Sequence, residues 1–250
     1  IFKLYKLKLS ICFLFVTLVL IFGMQRNIIF ANFDSYIKNL GFSLKKINIT
    51  GISKLDEHEI KKHIKYKNCE NLFCVDLGAT KNSLEKLDWI KSANLKLILP
   101  SELTINIYEE KPSFILDDGK FVSLLNSQGK KIETINSSKN VYENLLVISG
   151  NNVVDKINDL KAILNTSPDL AEKITSAKLI SDRRWSLVYA YFTTLDLPEK
   201  NPENALRKLD SLNKKYGIIS GDLKKIDLRI KDRMIIKFNI NKFSFGENKV

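Results

Sequence analysis

Glu109 and Glu110 are the residues of this sequence that most resemble a catalytic acid and base, because two neighbouring carboxylates end a stretch that reads as a strand. Over residues 101–108, apolar and polar side chains alternate. Successive side chains of a strand point to opposite faces, so the two carboxylates cannot converge on one substrate atom without a bend. Pro112 lacks a backbone donor and is predicted to end strand pairing just after them. The pair therefore indicates the charged exit of a domain rather than an active site.

Cysteine and histidine supply the other candidate reactive groups. Cys69 and Cys74 lie close together in the segment NCENLFC, while His58 and His63 are five residues apart. On a helix, that spacing points the two imidazoles to different faces, so no zinc site is predicted. Two alternatives stay open for the cysteines. They form a short-loop disulfide, or Cys74 is a small buried hydrophobe and Cys69 an exposed thiol.

Other enzyme and nucleic-acid signatures are missing from the sequence. It contains no nucleophile elbow, no glycine-rich phosphate loop and no zinc motif. Both histidines fall in one early helix, which leaves no Ser/Cys–His–acid grouping. The net charge of +12 comes mostly from lysines that are interspersed with acids. A nucleic-acid surface needs arginine clusters and stacking aromatics that this pattern lacks. We expect a protein that is not an enzyme, with no cofactor, no metal, no small-molecule substrate and no nucleic-acid partner.

The first thirty residues read as a membrane anchor. Three lysines precede a run without charge from Leu9 to Gln25, and Arg26 follows it. A helix over this run is about 26 Å long, and flanking basic side chains can extend it across the hydrocarbon core. We expect a cytoplasmic tail over residues 1–8, a transmembrane helix over 9–30 and an exported remainder. The alternative, a cleaved signal peptide, needs a small residue at position −3, where a cut after Ala31 would place the bulky Ile29.

A small α/β unit is predicted next. A short strand ends at Gly51. A helix follows, with Asp56 as its expected N-cap and Glu59 as the capping-box partner of Asp56. A second helix is expected over residues 80–88, and two strands separated by Pro100 complete the order β-α-α-β-β. This order predicts a three-stranded sheet covered by two helices.

The second half reads as a mainly antiparallel β domain with flanking helices. Turn signals such as Asp117-Asp118-Gly119 separate short apolar runs. One continuous strand is expected from residue 183 to 198, and a helix after Pro202. The last strand is predicted at about Met234–Phe238. The tail, residues 241–250, closes the chain.

Both halves resemble the FtsQ/DivIB family of bacterial cell division proteins. The first half carries the NLF-x-x-D link, a Trp-Ile pair after the second helix and the hairpin LP-x-x-L-x-I-x-I-x-E-x-x-P. The second half carries RRW-x-L, an AL-x-x-L helix and IDLR. The resemblance implies an α+β fold: a single transmembrane helix, a POTRA domain over residues 42–112 and an FtsQ-type β domain over residues 113–240.

The resemblance also implies a function. We expect an inner-membrane scaffold, with its bulk in the periplasm and concentrated at the division septum. It would bind FtsB and FtsL, and the POTRA domain would contact other division proteins. The mechanism that we expect is β-augmentation, in which a partner strand pairs with the free backbone groups of the last strand at a sheet edge. The resemblance places partner binding at Arg229, Ile230, Asp232, Arg233 and Phe238, and the predicted last strand adds Met234 and Ile236. The alternative function is a POTRA-type chaperone or secretion-related envelope protein that acts through protein contacts.

Overall fold

The chain folds into two compact units, residues 1–109 and residues 110–250. The computed structural model describes residues 14–17, 34–67, 69, 71–135, 142, 144–190, 192–219 and 222–239. The predicted tails, 1–8 and 241–250, lie outside these residues, as does all of the predicted transmembrane segment except 14–17, which are helical. Within the described part of the chain, no helix has both the length and the apolar character that crossing a membrane requires.

The first unit is built on a three-stranded sheet in the order β1-β3-β2. Its strands are β1 (Lys46–Thr50), β2 (Ile90–Ile98) and β3 (Glu102–Glu109). β3 lies in the middle, parallel to β1 and antiparallel to β2. Alternation along β3 buries Leu103, Ile105 and Ile107 on one face and leaves polar residues on the other, which is the pattern of a sheet covered on one side.

Two short helices cover the apolar face of this sheet, as the sequence predicts. They are α1 (Glu57–Lys62) and α2 (Leu77–Leu84), which bury Ile60 and Leu84 against the strands. The structure corrects two details. The side chain of Asp56 makes no cap hydrogen bond, so the predicted capping box is absent. The second helix spans residues 77–84 rather than 80–88. It begins earlier because the carboxylate of Asp76 accepts a hydrogen bond from the N–H of Ala79 at 2.9 Å, and Glu85 is its C-cap.

The second unit is built on a nine-stranded sheet. Its spatial order is β12-β11-β10-β9-β8-β7-β4-β5-β6. Among the described residues, five of its strand pairs are antiparallel and three are parallel. The strands are β4 (Pro112–Asp117), β5 (Val122–Asn126), β6 (Lys131–Ile135), β7 (Leu146–Ser149), β8 (Ile174–Ile180), β9 (Arg184–Tyr189), β10 (Thr193–Asp196), β11 (Leu223–Asp227) and β12 (Ile235–Phe238).

Three helices pack on this sheet: α3 (Ile157–Asn165), α4 (Pro168–Ala171) and α5 (Pro202–Tyr216). Pro202 occupies the first turn of α5, where its missing N–H costs nothing, and Gly217 ends the helix in the left-handed conformation. Leu206 and Leu209 of α5 join the buried cluster that also holds Trp185 and Leu187 of β9. The helices therefore bury one face of the central strands.

Two further expectations about this unit are wrong. Pro112 does not end pairing. It is the first residue of β4 and the register partner of Asn126, a position where a strand tolerates the missing donor. The predicted strand over residues 183–198 divides into β9 and β10, which pair antiparallel with each other. Ala190, at the turn between them, has a positive φ of 48°, a backbone reversal that the apolar sequence does not signal.

Candidate protein-binding site

The two carboxylates that resemble an acid–base pair are each engaged separately. Glu109 accepts hydrogen bonds at 2.9–3.1 Å from the N–H groups of Ser53, Lys54 and Leu55, and one at 2.6 Å from the Ser53 hydroxyl. Burial is the largest single influence and opposes the charge, but these hydrogen bonds together outweigh it and hold the pKa of Glu109 below its ordinary value. Glu109 thus anchors the loop after β1.

Glu110 is buried in the second unit, 8% exposed. Its carboxylate accepts a hydrogen bond from the Asn126 side-chain amide at 3.0 Å and lies 3.4 Å from the Lys130 ammonium. A buried carboxylate needs such partners to offset its lost hydration. Both carboxylates therefore act as structural acceptors, one for each unit.

The structure joins Cys69 and Cys74 in a disulfide, with Cα atoms 5.5 Å apart. Cys74 is also buried, and its sulfur accepts a hydrogen bond from the N–H of Asn71 at 3.1 Å. Nearby, His63 Nδ1 lies 3.0 Å from the Ser83 hydroxyl. No group of three or more metal-ligating side chains occurs within the described ranges.

Strand β12 stands at one end of the nine-stranded sheet, where β11 is its only described neighbour. The N–H of Asn239 donates to the carbonyl of Asp222 at 2.9 Å. In a strand, the main-chain groups of every second residue face the same neighbouring strand. Counting back from Asn239, the N–H and C=O groups of Lys237 and Ile235 therefore also face β11. It follows that Ile236 and Phe238 direct their N–H and C=O groups to the other side of β12, which has no neighbouring strand among the described residues and is called the vacant edge below.

The residues implied by the family resemblance are contiguous at this edge. Ile230 and Phe238 are each half exposed, whereas Met234 and Ile236 are partly buried and pack against the core of the unit. Asp232 and Arg233 are exposed in the turn before β12, where Asp232 has a φ of 60°. Met234 and Ile236 thus hold the strand on the core, while the residues around them face outward.

Arg229 is tied to the sheet by its own neighbour. Its Nε lies 2.8 Å from Oδ1 of Asp227 and its Nη2 lies 2.5 Å from Oδ2. This hydrogen bonding is the main reason that the pKa of Asp227 is lowered and that of Arg229 raised, and burial of Asp227 opposes it. Asp227 therefore orients the Arg229 guanidinium, although Arg229 keeps 40% of its side chain exposed.

A groove of about 830 Å³ opens beside this turn. Leu209 and Leu212 of α5 form one wall, and Leu228, Ile230 and Met234 form the other. Most charged groups that line it are basic. They are Lys200, Lys208, Arg229, Lys231 and Arg233, with the acids Glu199 and Asp232.

Sequence reasoning missed the helix side of this groove. The three-residue spacing of Leu209 and Leu212 signals an apolar helix face, but that pattern is equally typical of a helix buried in the core. Only the fold shows that the residues at 228–234 lie against this helix.

Comparison with known proteins identifies both halves. Residues 42–110 match the family model for the FtsQ-type POTRA domain, and residues 115–229 match the model for the C-terminal region of cell division protein FtsQ/DivIB. The second match ends at Arg229, so β12 lies beyond it. Together the two models cover most of the chain, in the order that the sequence predicts.

Several relatives carry the name cell division protein FtsQ. The protein of Rickettsia bellii is 32% identical over 200 residues, which cover 79% of this chain and 73% of the relative. That of Rickettsia felis is 30% identical over the same shares. That of Novosphingobium aromaticivorans is 27% identical over 202 residues, or 79% of this chain and 62% of that longer relative. On both grounds, this chain belongs to the FtsQ/DivIB family of bacterial cell division proteins.

Proposed function

We propose that this protein is a non-catalytic scaffold of the cell division machinery that binds FtsB and FtsL. It is held in the inner membrane by the apolar run over residues 9–25, with its N-terminus in the cytoplasm and both folded units in the periplasm. By gathering its partners at the septum, it links septal wall synthesis to the cytoplasmic division ring. Membership of a cell division family supports the division role.

The binding mechanism in this proposal is addition of a partner strand to β12. The observation that carries it is the vacant edge of β12, towards which Ile236 and Phe238 direct their main-chain groups. Backbone pairing supplies affinity, and alternate side chains of the added strand supply specificity. Ile235 and Phe238 of β12 are each half exposed, and the unpaired main-chain groups of an edge strand are a template for pairing with another chain.

The groove beside residues 228–234 gives the proposed partner a second point of attachment. Its two walls carry apolar side chains, among them Leu209, Leu212 and Met234, and its basic residues outnumber its acids. An apolar side chain seated there would be desolvated, and the basic rim would attract acidic groups next to it. We therefore expect the segment of FtsB that binds here to combine an apolar anchor with acidic residues.

Replacing Phe238 separates the side-chain and main-chain contributions to binding. Phe238→Ala removes the half-exposed ring and is expected to weaken binding of FtsB about tenfold, which corresponds to about 1.4 kcal/mol. Phe238→Pro also removes the N–H that faces the vacant edge but leaves the β11 ladder intact. We therefore expect Phe238→Pro to bind FtsB more weakly than Phe238→Ala.

The measurement is titration of the purified full-length chain in detergent with FtsB, alongside circular dichroism. Phe121→Ala is the matched control, because Phe121 is 62% exposed next to β5, near the opposite end of the sheet. Native-like dichroism with unchanged binding of both Phe238 variants would refute strand addition at β12. A separate test of the division role is the position of a fluorescently tagged copy, which should concentrate at mid-cell in dividing bacteria.

A further inference from the structure

Five exposed apolar side chains gather at one end of the first unit. They are Tyr36, Leu40, Phe73, Ile98 and Leu99, each between 42% and 62% exposed. We call them the apolar end patch. Exposed apolar residues are ordinary when scattered, but five that gather at one end of a small unit form a candidate contact surface.

Main-chain hydrogen bonds place these residues at the same end of the sheet. The N–H of Lys45, which precedes β1, donates to the carbonyl of Ser101 in the β2–β3 turn at 2.9 Å. Ile98 and Leu99 directly precede that turn. The carbonyl of Phe42, three residues before Lys45, accepts from the N–H of Leu72 at 2.8 Å. The segment before β1, the loop around residue 72 and the β2–β3 turn therefore meet here.

The exposure of Phe73 is imposed by its surroundings. Its neighbours Leu72 and Cys74 are buried, and its N–H donates to the Asn71 side chain at 2.8 Å. The disulfide to Cys69 fixes the same turn, and the Phe73 ring lies 5.9 Å from that of Phe42. The Phe73 ring is thus held in an exposed position by a turn that the disulfide and the Asn71 hydrogen bond constrain.

The helical segment over residues 34–39 is bound to the same turn. The amide of Asn71 donates to the carboxylate of Asp34 at 2.9 Å. Tyr36 and Leu40 are four residues apart, so they share a face of this segment, and both are exposed. Three exposed lysines lie close to the patch in sequence. Lys45 directly precedes β1, and Lys65 and Lys67 precede the loop around residue 72.

The length of the chain limits how far this end can lie from the apolar N-terminal run. Asp34 follows Arg26, the residue that closes the run, by eight positions, which span at most about 28 Å when extended. The opposite end of the sheet, marked by Tyr108, lies about 20 Å further along β3. The described chain therefore enters this unit, at Asp34, at the end of the sheet that carries the apolar end patch.

We propose that the apolar end patch rests on the phospholipid surface of the membrane in which the N-terminal run is anchored. Aromatic and aliphatic side chains flanked by lysines are the composition that settles at a membrane–water interface. The lysines match anionic headgroups, and Asp34 is already paired with Asn71. The contact holds the unit upright on the membrane. This inference rests on the anchoring part of the proposed function and is independent of partner binding at β12.

Quenching by brominated lipids tests the contact in the full-length chain. Phe73→Trp and Leu99→Trp each add one indole at the patch, and Tyr108→Trp adds one at the far end, where Tyr108 is 54% exposed. Each variant is reconstituted in vesicles of phosphatidylethanolamine and phosphatidylglycerol that carry brominated phosphatidylcholine. The native Trp89 and Trp185 contribute equally to every sample and are subtracted.

We expect bromine to remove most of the added emission at positions 73 and 99 and little at 108. Equal emission with and without bromine at positions 73 and 99 would overturn the proposal, and a blue-shifted emission in that case would assign the patch to a protein contact. Resistance of the chain to alkaline extraction from the vesicles is measured in parallel. Extraction of the chain would refute the anchor itself, whereas a retained but unquenched chain would refute only the contact.

Discussion

Asp196 and Asp227 are register partners across the parallel pair β10–β11, although both carry negative charge. Like charges in this position destabilise a sheet unless cations offset them. Lys225 lies 2.5 Å from Asp196, and Arg229 lies 2.5 Å from Asp227. The two strands next to the proposed binding edge are thus joined through an ordered set of four charges, which places Arg229 at the start of the turn that leads to β12.

This arrangement predicts a specific pH dependence. Burial is the largest influence on Asp196 and raises its pKa, but hydrogen bonds from Lys225 and Ser186 outweigh it, and the pKa lies below the ordinary 3.8. That of Asp227 is lowered chiefly by Arg229. Carboxyls with lowered pKa values contribute stability that is complete above pH 3.8 and is lost as the pH falls through their folded-state values.

Asp227→Asn should therefore lower the free energy of unfolding by about 1 kcal/mol at pH 6 and flatten its decline below pH 3.8. Urea unfolding at pH 6 and at pH 3 measures both effects. Asp159→Asn is the control, because Asp159 belongs to an exposed pair with Lys156 and such pairs contribute little. A parallel shift of the whole pH profile would show that Asp227 does not titrate as described.

Gly51 provides a test of the POTRA unit. It follows β1 with a φ of 82°, and a Cβ there would overlap the carbonyl oxygen of Ile107. Gly119 has a similar φ of 84° but open space around it. We expect Gly51→Ala to destabilise its unit by roughly 2–4 kcal/mol and Gly119→Ala by roughly 1 kcal/mol, since only the first adds a backbone clash to the strain.

Thermal unfolding followed by dichroism compares the two glycine variants with the unmodified protein. The comparison is informative because both positions carry the same backbone strain. Equal losses at Gly51 and Gly119 would mean that the close approach to Ile107 contributes nothing.

The carboxylate of Glu109 is expected to stabilise the same unit. Glu109→Ala leaves three backbone N–H groups and a hydroxyl without their acceptor and is expected to cost about 2 kcal/mol. Glu109→Gln should cost less, because one side-chain oxygen remains to accept from the N–H groups of residues 53–55. Chemical denaturation of the two variants distinguishes these outcomes, and equal stability of both with the unmodified protein would contradict the anchoring role.

The disulfide makes a direct chemical prediction. The chain has three cysteines, of which Cys69 and Cys74 are paired. Alkylation of the denatured protein without reductant should label only Cys12, and alkylation after reduction should label all three. Mass spectrometry counts the labels. Labelling of three sites before reduction would show that the purified protein carries free thiols at positions 69 and 74.

Much of the fold follows from local patterns in the sequence. Period-2 alternation places β3, and Pro202 with Gly217 marks the ends of α5. These elements can be predicted from the sequence because backbone preferences and side-chain alternation depend on residues that are close together in the chain. The neighbouring positions of Glu109 and Glu110 similarly weigh against a shared active site, and the structure gives each carboxylate its own partners.

Other features depend on contacts between residues that are distant in sequence. The order of nine strands, with β4 between β5 and β7, has no local signature. Nor does the break between β9 and β10, because apolar residues continue through it.

The sequence by itself determined which residues form most strands and helices, the family, and the candidate binding segment. The tertiary structure decided that Arg229 is held by Asp227, that α5 forms a groove with residues 228–234, and that apolar side chains from three separate stretches share one end of the first unit. The physical reason is the distance along the chain over which each effect acts. Propensity and periodicity act between near neighbours in the chain, whereas surfaces are assembled by packing of segments that the sequence keeps far apart.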